Sequence, residues 1–200
     1  MSAEMIRDNA LAASGLMRTE IGGTSMKPYQ PDGLWEINNT HYVQDTGQVI
    51  YRRSIYVVVK RTVPNPTLGT FDAPSRSYCV VRRQRTNTPL QSLVTLNDPT
   101  FVEAACVLGE QMTQEHDARH GIVNAYRRLT GRTPSQKEVE LLIGLRQTEY
   151  KKFQENPAKA KGWLSTGQHT PNPTLERSLV AANAIVASAI MNSDATITKR

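Results

Sequence analysis

Four dipeptides, Thr88-Pro89, Asp98-Pro99, Thr133-Pro134 and Asn172-Pro173, each join a helix-capping side chain to a proline. The first turn of a helix leaves its N–H groups without intrahelical partners, so proline loses nothing there, and the Thr, Asp or Asn oxygen accepts from one of the remaining amides. Each pair therefore reads as a helix start. The apolar spacing behind them predicts a short helix over about 89–96 and a second over about 99–114. A third, over about 117–130, rests on Ile122, Val123, Tyr126 and Leu129 and stops at Gly131. Thr133-Pro134 opens a fourth that runs to about Glu155 on Val139, Leu142, Ile143, Tyr150 and Phe153. Pro157 opens a short segment around Trp163. Asn172-Pro173 opens the last, whose stripe of Leu175, Leu179, Ala182, Val186 and Ile190 suits close packing in a bundle core.

The first 87 residues are different. Residues 3–17 place Met5, Ile6, Ala10, Ala13 and Met17 at helical spacing, with Ser2 as N-cap. From Thr24 to Gly47 the chain is irregular, with Tyr29, Trp35 and Tyr42 as its apolar anchors. "RRSIYVVVKRTV" reads as a strand or an extended buried segment, and a helix also fits because Arg52/Arg53, Tyr56 and Lys60 recur near its period. "PNPTLGTFDAPS" is expected to be a loop, and "YCVVRRQ" a short second strand. The expected fold class is mainly α: a helical bundle with a long irregular, partly extended Arg-rich segment near residues 48–86, carrying short strands. With 38% apolar and 21% charged residues the chain should fold, as a single domain over 1–200 made of sub-regions 1–87 and 88–200.

Charge is concentrated. Between Ile50 and Leu90 there are eight Lys and Arg against Asp72 alone, a net +7 in a chain whose total is +6, so the remainder carries −1. Seven of the eight are Arg, whose planar fork matches carboxylate, phosphate or sulfate oxygens. Arg82, Arg83 and Arg85 lead into "TNTPLQ", where a helix N-terminus supplies N–H groups. The ligand-binding candidates are accordingly Arg52, Arg53, Arg76, Arg83, Arg85, Asn87 and Gln91. In an extended chain Arg83 and Arg85 share a face and Arg82 points away. The structural alternative, arginines used for internal pairs and helix-end carbonyls, is equally open.

Other chemistries find less support. His41, His116, His120 and His169 are scattered; His116 and His120, with Asp117 nearby, form the only i, i+4 pair, but neither HExxH nor a third-ligand pattern accompanies it. A solvated helix junction is the favoured reading there, and no metal site is assigned. No serine stands in a GxSxG elbow, and no phosphate loop is present. Nucleic-acid binding is disfavoured because only Tyr51, Tyr56 and Tyr78 accompany the basic patch. Cys79 and Cys106 lack CxxC spacing; free buried thiols are favoured over a single disulfide. No apolar run is long enough for a membrane span, and the N-terminus lacks signal-peptide features, which by itself argues for the cytoplasm.

The string "SAEMIRDNALAASGL…IGGTSMKPYQPDGLW…YVQDTGQVIYRRSIY…KRTVPNPTLGTFDAPSRSYCVVRRQRTNTPLQSLVTLNDPTFVEAA" closely resembles the domain of unknown function 1553 family. The ending "SLVAANAIVASAIMNSDATITKR" resembles the same family's C-terminal helix and tail. The resemblance implies the C-terminal part of a larger planctomycete-type secreted protein, with an upstream cytochrome-c-like haem domain and an extracytoplasmic location. It implies no cofactor in this fragment, which has no CxxCH, and makes the upstream domains of the same polypeptide the expected partners. The family's motifs fall on Arg52, Arg53, Lys60, Arg61, Phe71, Asp72, Pro74, Arg76, Cys79, Arg82, Arg83, Arg85, Thr86, Asn87, Thr88, Pro89, Gln91, Asn97 and Asp98, overlapping the charged segment. The expected function is a binding or interaction module for an anionic ligand, such as an acidic or sulfated polysaccharide, or for a companion domain. The alternatives are a share in a composite polysaccharide-acting or redox active site, with Asp72 as the acid/base candidate, and a purely structural domain.

Overall fold

The structure is a computed structural model that describes residues 1–36 and 39–198; Ile37 and Asn38 of the irregular passage, and Lys199 and Arg200 of the tail, lie outside the described residues. Nine α-helices are present among those residues. They are α1 (Ala3–Ser14), α2 (Pro66–Thr70), α3 (Pro89–Asn97), α4 (Pro99–Gln114), α5 (Ala118–Thr130), α6 (Gln136–Glu155), α7 (Pro157–Leu164), α8 (Arg177–Met191) and α9 (Asp194–Ile197). The mainly helical expectation holds.

α4 is the central post. It packs on α8, α1 and α5, and α6 closes the other side of α8. Phe101, Ala104, Ala105, Leu108 and Met112 of α4 join Ile122, Val186, Ala187 and Ile190 in the main core. The contact of α4 with α8 is close because both helices present small residues: Ala181, Ala182, Ala184 and Ala187 on α8 are fully buried, opposite Gly109. A Cβ on Gly109 would lie 2.7 Å from both the Val180 carbonyl oxygen and the Ala184 amide nitrogen, so the two backbones meet there with no room for a side chain.

The capping chemistry explains where the helices begin. Thr88 and Gln91 form a reciprocal capping box at α3, and the Asp98 carboxylate accepts from the Thr100 amide at 2.8 Å to start α4. At α6 and α8 the expected starts are wrong. Ser135 and Glu138 make a complete capping box, so α6 begins at Gln136, two residues beyond Pro134. Asn172 caps only a single turn, accepting from Thr174, while its own amide donates to Glu110 on α4 at 2.8 Å; that tether delays α8 until Arg177. α1 stops at Ser14 rather than residue 17 because Gly15 takes a left-handed conformation, φ 82°.

Two further expectations are corrected in the Arg-rich region. "PNPTLGT" is not all loop: Asn65 caps Leu68 at 3.0 Å, Pro66 takes the first helical position, and α2 follows. It is the same cap-and-proline signal read elsewhere. The expected strands do not assemble into a sheet; among the described residues there are two isolated parallel bridges, Arg18 with Arg52 and Met26 with Val57, set between short 3₁₀ turns at Gly47–Tyr51 and Ser54–Tyr56. "YCVVRRQ" forms no strand. Backbone groups of residues 78–85 make no hydrogen bond within the described chain, and a strand needs a neighbour. No helix among the described residues is long and apolar enough to cross a membrane. Cys106 is buried and Cys79 exposed, and both are free thiols.

Gly109→Ala should destabilise the fold by about 1–3 kcal/mol through overpacking against rigid backbone, read by urea unfolding. Glu138 supplies a pH prediction. Hydrogen bonds from Arg132, then Tyr126 and the Ser135 amide, hold its carboxyl well below the ordinary value of 4.5. A depressed folded pKa contributes stability that is fully present above 4.5 and is lost as pH falls below it. The loss of stability on acidification should be shallower in Glu138→Gln than in the wild type, measured by thermal unfolding from about pH 5 to about pH 2.

Candidate functional site

The basic segment divides into arginines that build the frame and arginines that stand outside it. Arg7 of α1, which composition alone does not single out, is buried and donates to the carbonyls of Ile50 (2.5 Å) and Arg52 (3.0 Å) and to the Ser54 hydroxyl (3.1 Å). Burial draws its pKa down to about 10. The neighbouring Asp8 carboxylate accepts from the Ser54 amide at 2.7 Å and lies 3.9 Å from Arg53. Arg52 donates to the carbonyls of Thr24 and Gly22, with its guanidinium 3.9 Å from the centre of the Tyr56 ring. Of the predicted ligand residues, Arg52 and Arg53 thus fasten the 50–56 turns to α1 and to the loop at 22–24.

Residues 72–87 form a separate strap. Asp72 and Arg76 both adopt left-handed backbone conformations, φ 63° and 59°, which turn the chain out of α2 and away from the core. The strap returns at Thr86, whose amide (2.6 Å) and hydroxyl (2.9 Å) both donate to Asp72. Gln91 of α3 completes the clasp: its amide nitrogen donates to the Thr86 hydroxyl (3.1 Å) and the Thr70 carbonyl (3.0 Å), while its oxygen accepts from the Thr88 amide. The motifs "FDAPSR" and "RTNTPLQ" are therefore the two ends of one loop. Asp72 and Gln91 hold that loop shut.

Between these ends, residues 76–87 are exposed without interruption. Among the described residues Arg83 alone of the strap's arginines has a partner, a two-pronged ion pair with Glu4 of α1 at 2.8 and 3.0 Å. Partial burial raises the Glu4 pKa, but its own backbone amide and Arg83 outweigh that effect and leave it below the ordinary carboxylate value. Arg76, Arg82 and Arg85 have no hydrogen-bond or ion-pair partner among the described residues. Arg82, Arg83, Arg85 and Asn87 line a cleft of about 510 Å³ whose floor includes Asp72, Gln91 and Ile6. On the far side of Arg83 a second cleft of about 360 Å³ is lined by Arg53, Arg76, Glu4 and Asp8. Arg82 joins Arg83 and Arg85 at the larger cleft rather than facing away, because the strap is not a strand. The α3 N-terminus is occupied by its own capping box. Beside the arginines stand Tyr78, Val80 and Val81, the last fully exposed, and the outer face of α3 with Leu90 and Leu93.

One group that the charge reading missed is Glu103, fully buried on α4. It accepts hydrogen bonds from the Tyr51 hydroxyl (2.7 Å), the Tyr29 hydroxyl (3.0 Å) and the amides of Gln168 (2.7 Å) and His169 (2.6 Å). Gly167 lies so close that a Cβ there would be 2.4 Å from the carboxyl carbon. Burial, and then the adjacent carboxylate, raises the pKa of both tyrosines above its usual value. The only sequence signal was an acidic residue inside "FVEAACVL", an otherwise apolar helix.

A family model described as PSD1, a protein of unknown function (DUF1553), matches residues 1–145. The chain belongs to this family. The matched region of this DUF1553 domain contains the strap, its clasp, Arg7 and Glu103, whereas the resemblance noted from Ser178 onward lies outside it. No curated protein and no solved structure matches the chain.

Glu103→Gln removes one acceptor from a site with four donors, and the amide's own N–H₂ must then face one of them. Unfolding free energy should fall by about 1–3 kcal/mol in denaturant titration, the usual cost of leaving buried donors unsatisfied. An unchanged value would show that the four contacts are replaceable.

Proposed function

We propose that this DUF1553 domain is an interaction module and that its strap docks against an acidic, partly apolar face of a companion domain of the same polypeptide. The supporting observation is the uncovered strap itself: Arg76, Arg82 and Arg85 stand without partners among the described residues, and Tyr78, Val80 and Val81 are exposed beside them. Apolar side chains flanked by free guanidinium groups match an interface core with a charged rim. The clasp of Asp72, Thr86 and Gln91 fixes where the strap leaves and rejoins the bundle, so less ordering is needed on binding. The setting we propose is extracytoplasmic, with any haem carried by an upstream domain; this rests on the family resemblance.

A second reading rests on the larger cleft. Arg82, Arg83, Arg85 and Asn87 converge on one volume of about 510 Å³, a suitable lining for the sulfate or carboxylate groups of a polysaccharide. A composite active site with Asp72 as acid or base finds less support, because its oxygens are engaged by Thr86.

The test compares wild type with Arg82→Ala plus Arg85→Ala. Binding is measured to the companion domain supplied in trans and, in parallel, to a sulfated and a neutral polysaccharide. The double variant should bind the companion domain about tenfold or more weakly, about 1.4 kcal/mol, with a reduced dependence on salt. Binding to the companion domain that the substitutions leave unchanged contradicts the docking reading. A loss seen only with the sulfated polysaccharide supports the second reading instead.

A further inference from the structure

The junction between α4 and α5 brings together three metal-ligating side chains from a six-residue stretch, Glu115 to His120. α4 ends at Gln114, and Glu115 follows as its C-cap in an extended conformation. Asp117 then starts α5 by accepting the His120 amide at 2.6 Å. This tight reversal folds Glu115 and His116 back over the first turn of α5, where His120 lies. One donor atom from each of Glu115, His116 and His120 falls within 4.8 Å of the others. The Glu115 carboxylate is 2.9 Å from His120 Nδ1, and the two imidazole rings are 4.5 Å apart at 47°. The sequence spacing hid this trio because Glu115 reaches the pair through the turn rather than from a helical position.

We infer that Glu115, His116 and His120 form a binding site for a transition-metal dication of the zinc class. Two imidazoles and one carboxylate suit a cation of borderline softness, whereas magnesium and calcium prefer oxygen alone. Zinc bonds of about 2.0–2.1 Å place tetrahedral donors about 3.4 Å apart, a spacing that small rotations of these side chains reach. The site also has a supporting shell. Asn124, one turn further along α5, donates to the other Glu115 oxygen at 3.0 Å and fixes that carboxylate's orientation. Asp117 lies 2.9 Å from His116 Nε2 and stands ready as an orienting partner or a fourth ligand. On binding, the metal takes the imidazole and carboxylate lone pairs, and any proton shared between His120 and Glu115 leaves to solvent.

The experiment is a calorimetric titration of the whole chain with Zn²⁺, and separately with Mg²⁺, accompanied by thermal unfolding at saturating metal. One Zn²⁺ per chain is expected, at about micromolar affinity, with a rise in the unfolding temperature and no response to Mg²⁺. His116→Ala and His120→Ala should each weaken binding by about tenfold or more, and Glu115→Gln should weaken it measurably. His41→Ala, distant and exposed, should leave it unchanged. All four sites are on the surface, so helical content by circular dichroism confirms that each variant is folded. Absence of one-to-one binding at micromolar metal, or binding that survives His120→Ala, overturns the inference.

Discussion

The carboxylate of Glu103 is the constraint on which the rest of the structure depends. A buried carboxyl group is tolerated only when hydrogen-bond partners surround it, and here four donors arrive from three distant stretches: Tyr29, Tyr51 and the Gln168–His169 amides. Each stretch lies outside the α-helices, and Tyr29, Ile50 and Tyr51 add only a small apolar cluster around Leu11. Glu103 gives all three a common anchor on α4. Two turns further along, Glu110 repeats the device, accepting from the Asn172 amide at 2.8 Å and lying 2.9 Å from His169 Nε2. The long loop before α8 is thus held along the length of α4, and the helices it joins are set in register with the bundle.

Once the loops are tied down, the concentration of arginine takes on a different meaning. Arg7 and Arg52 serve as backbone connectors, satisfying carbonyls that a sheet would otherwise pair. Arg83 ties the strap to α1 through Glu4. The remaining arginines of the strap, with Tyr78, Val80 and Val81, are the part of the segment that the fold itself does not use. A basic and apolar surface left free on a frame fastened so carefully elsewhere is what the docking reading explains.

The helices were legible in the sequence because caps and prolines act locally. Thr88-Pro89 and Asp98-Pro99 marked α3 and α4 from chemistry contained within four residues. The reading failed where longer-range contacts decide the outcome: at α8, where Glu110 holds Asn172, and in "YCVVRRQ", whose β-branched residues find no strand to pair with among the described residues. The arginine segment was visible from charge alone, but its division into connectors and free groups depends on α1, which lies far away in sequence. Glu103 was hidden for the same reason, since none of its four donors is near it in the chain. The clasp of Asp72 with Thr86 spans fourteen residues, and both of its ends lay in motifs already singled out; the sequence did not show that those ends meet.

Hydrogen exchange, followed residue by residue on the chain alone and joined to the proposed companion domain, tests the central claim most directly. Amides of residues 78–85, which lack partners among the described residues, should exchange close to the unprotected rate in the isolated chain, while those of α3 and α4 stay protected. Joined to the companion domain, the strap amides should become protected. Strap amides that are already protected in the isolated chain, or that stay unprotected in the joined protein, would contradict it.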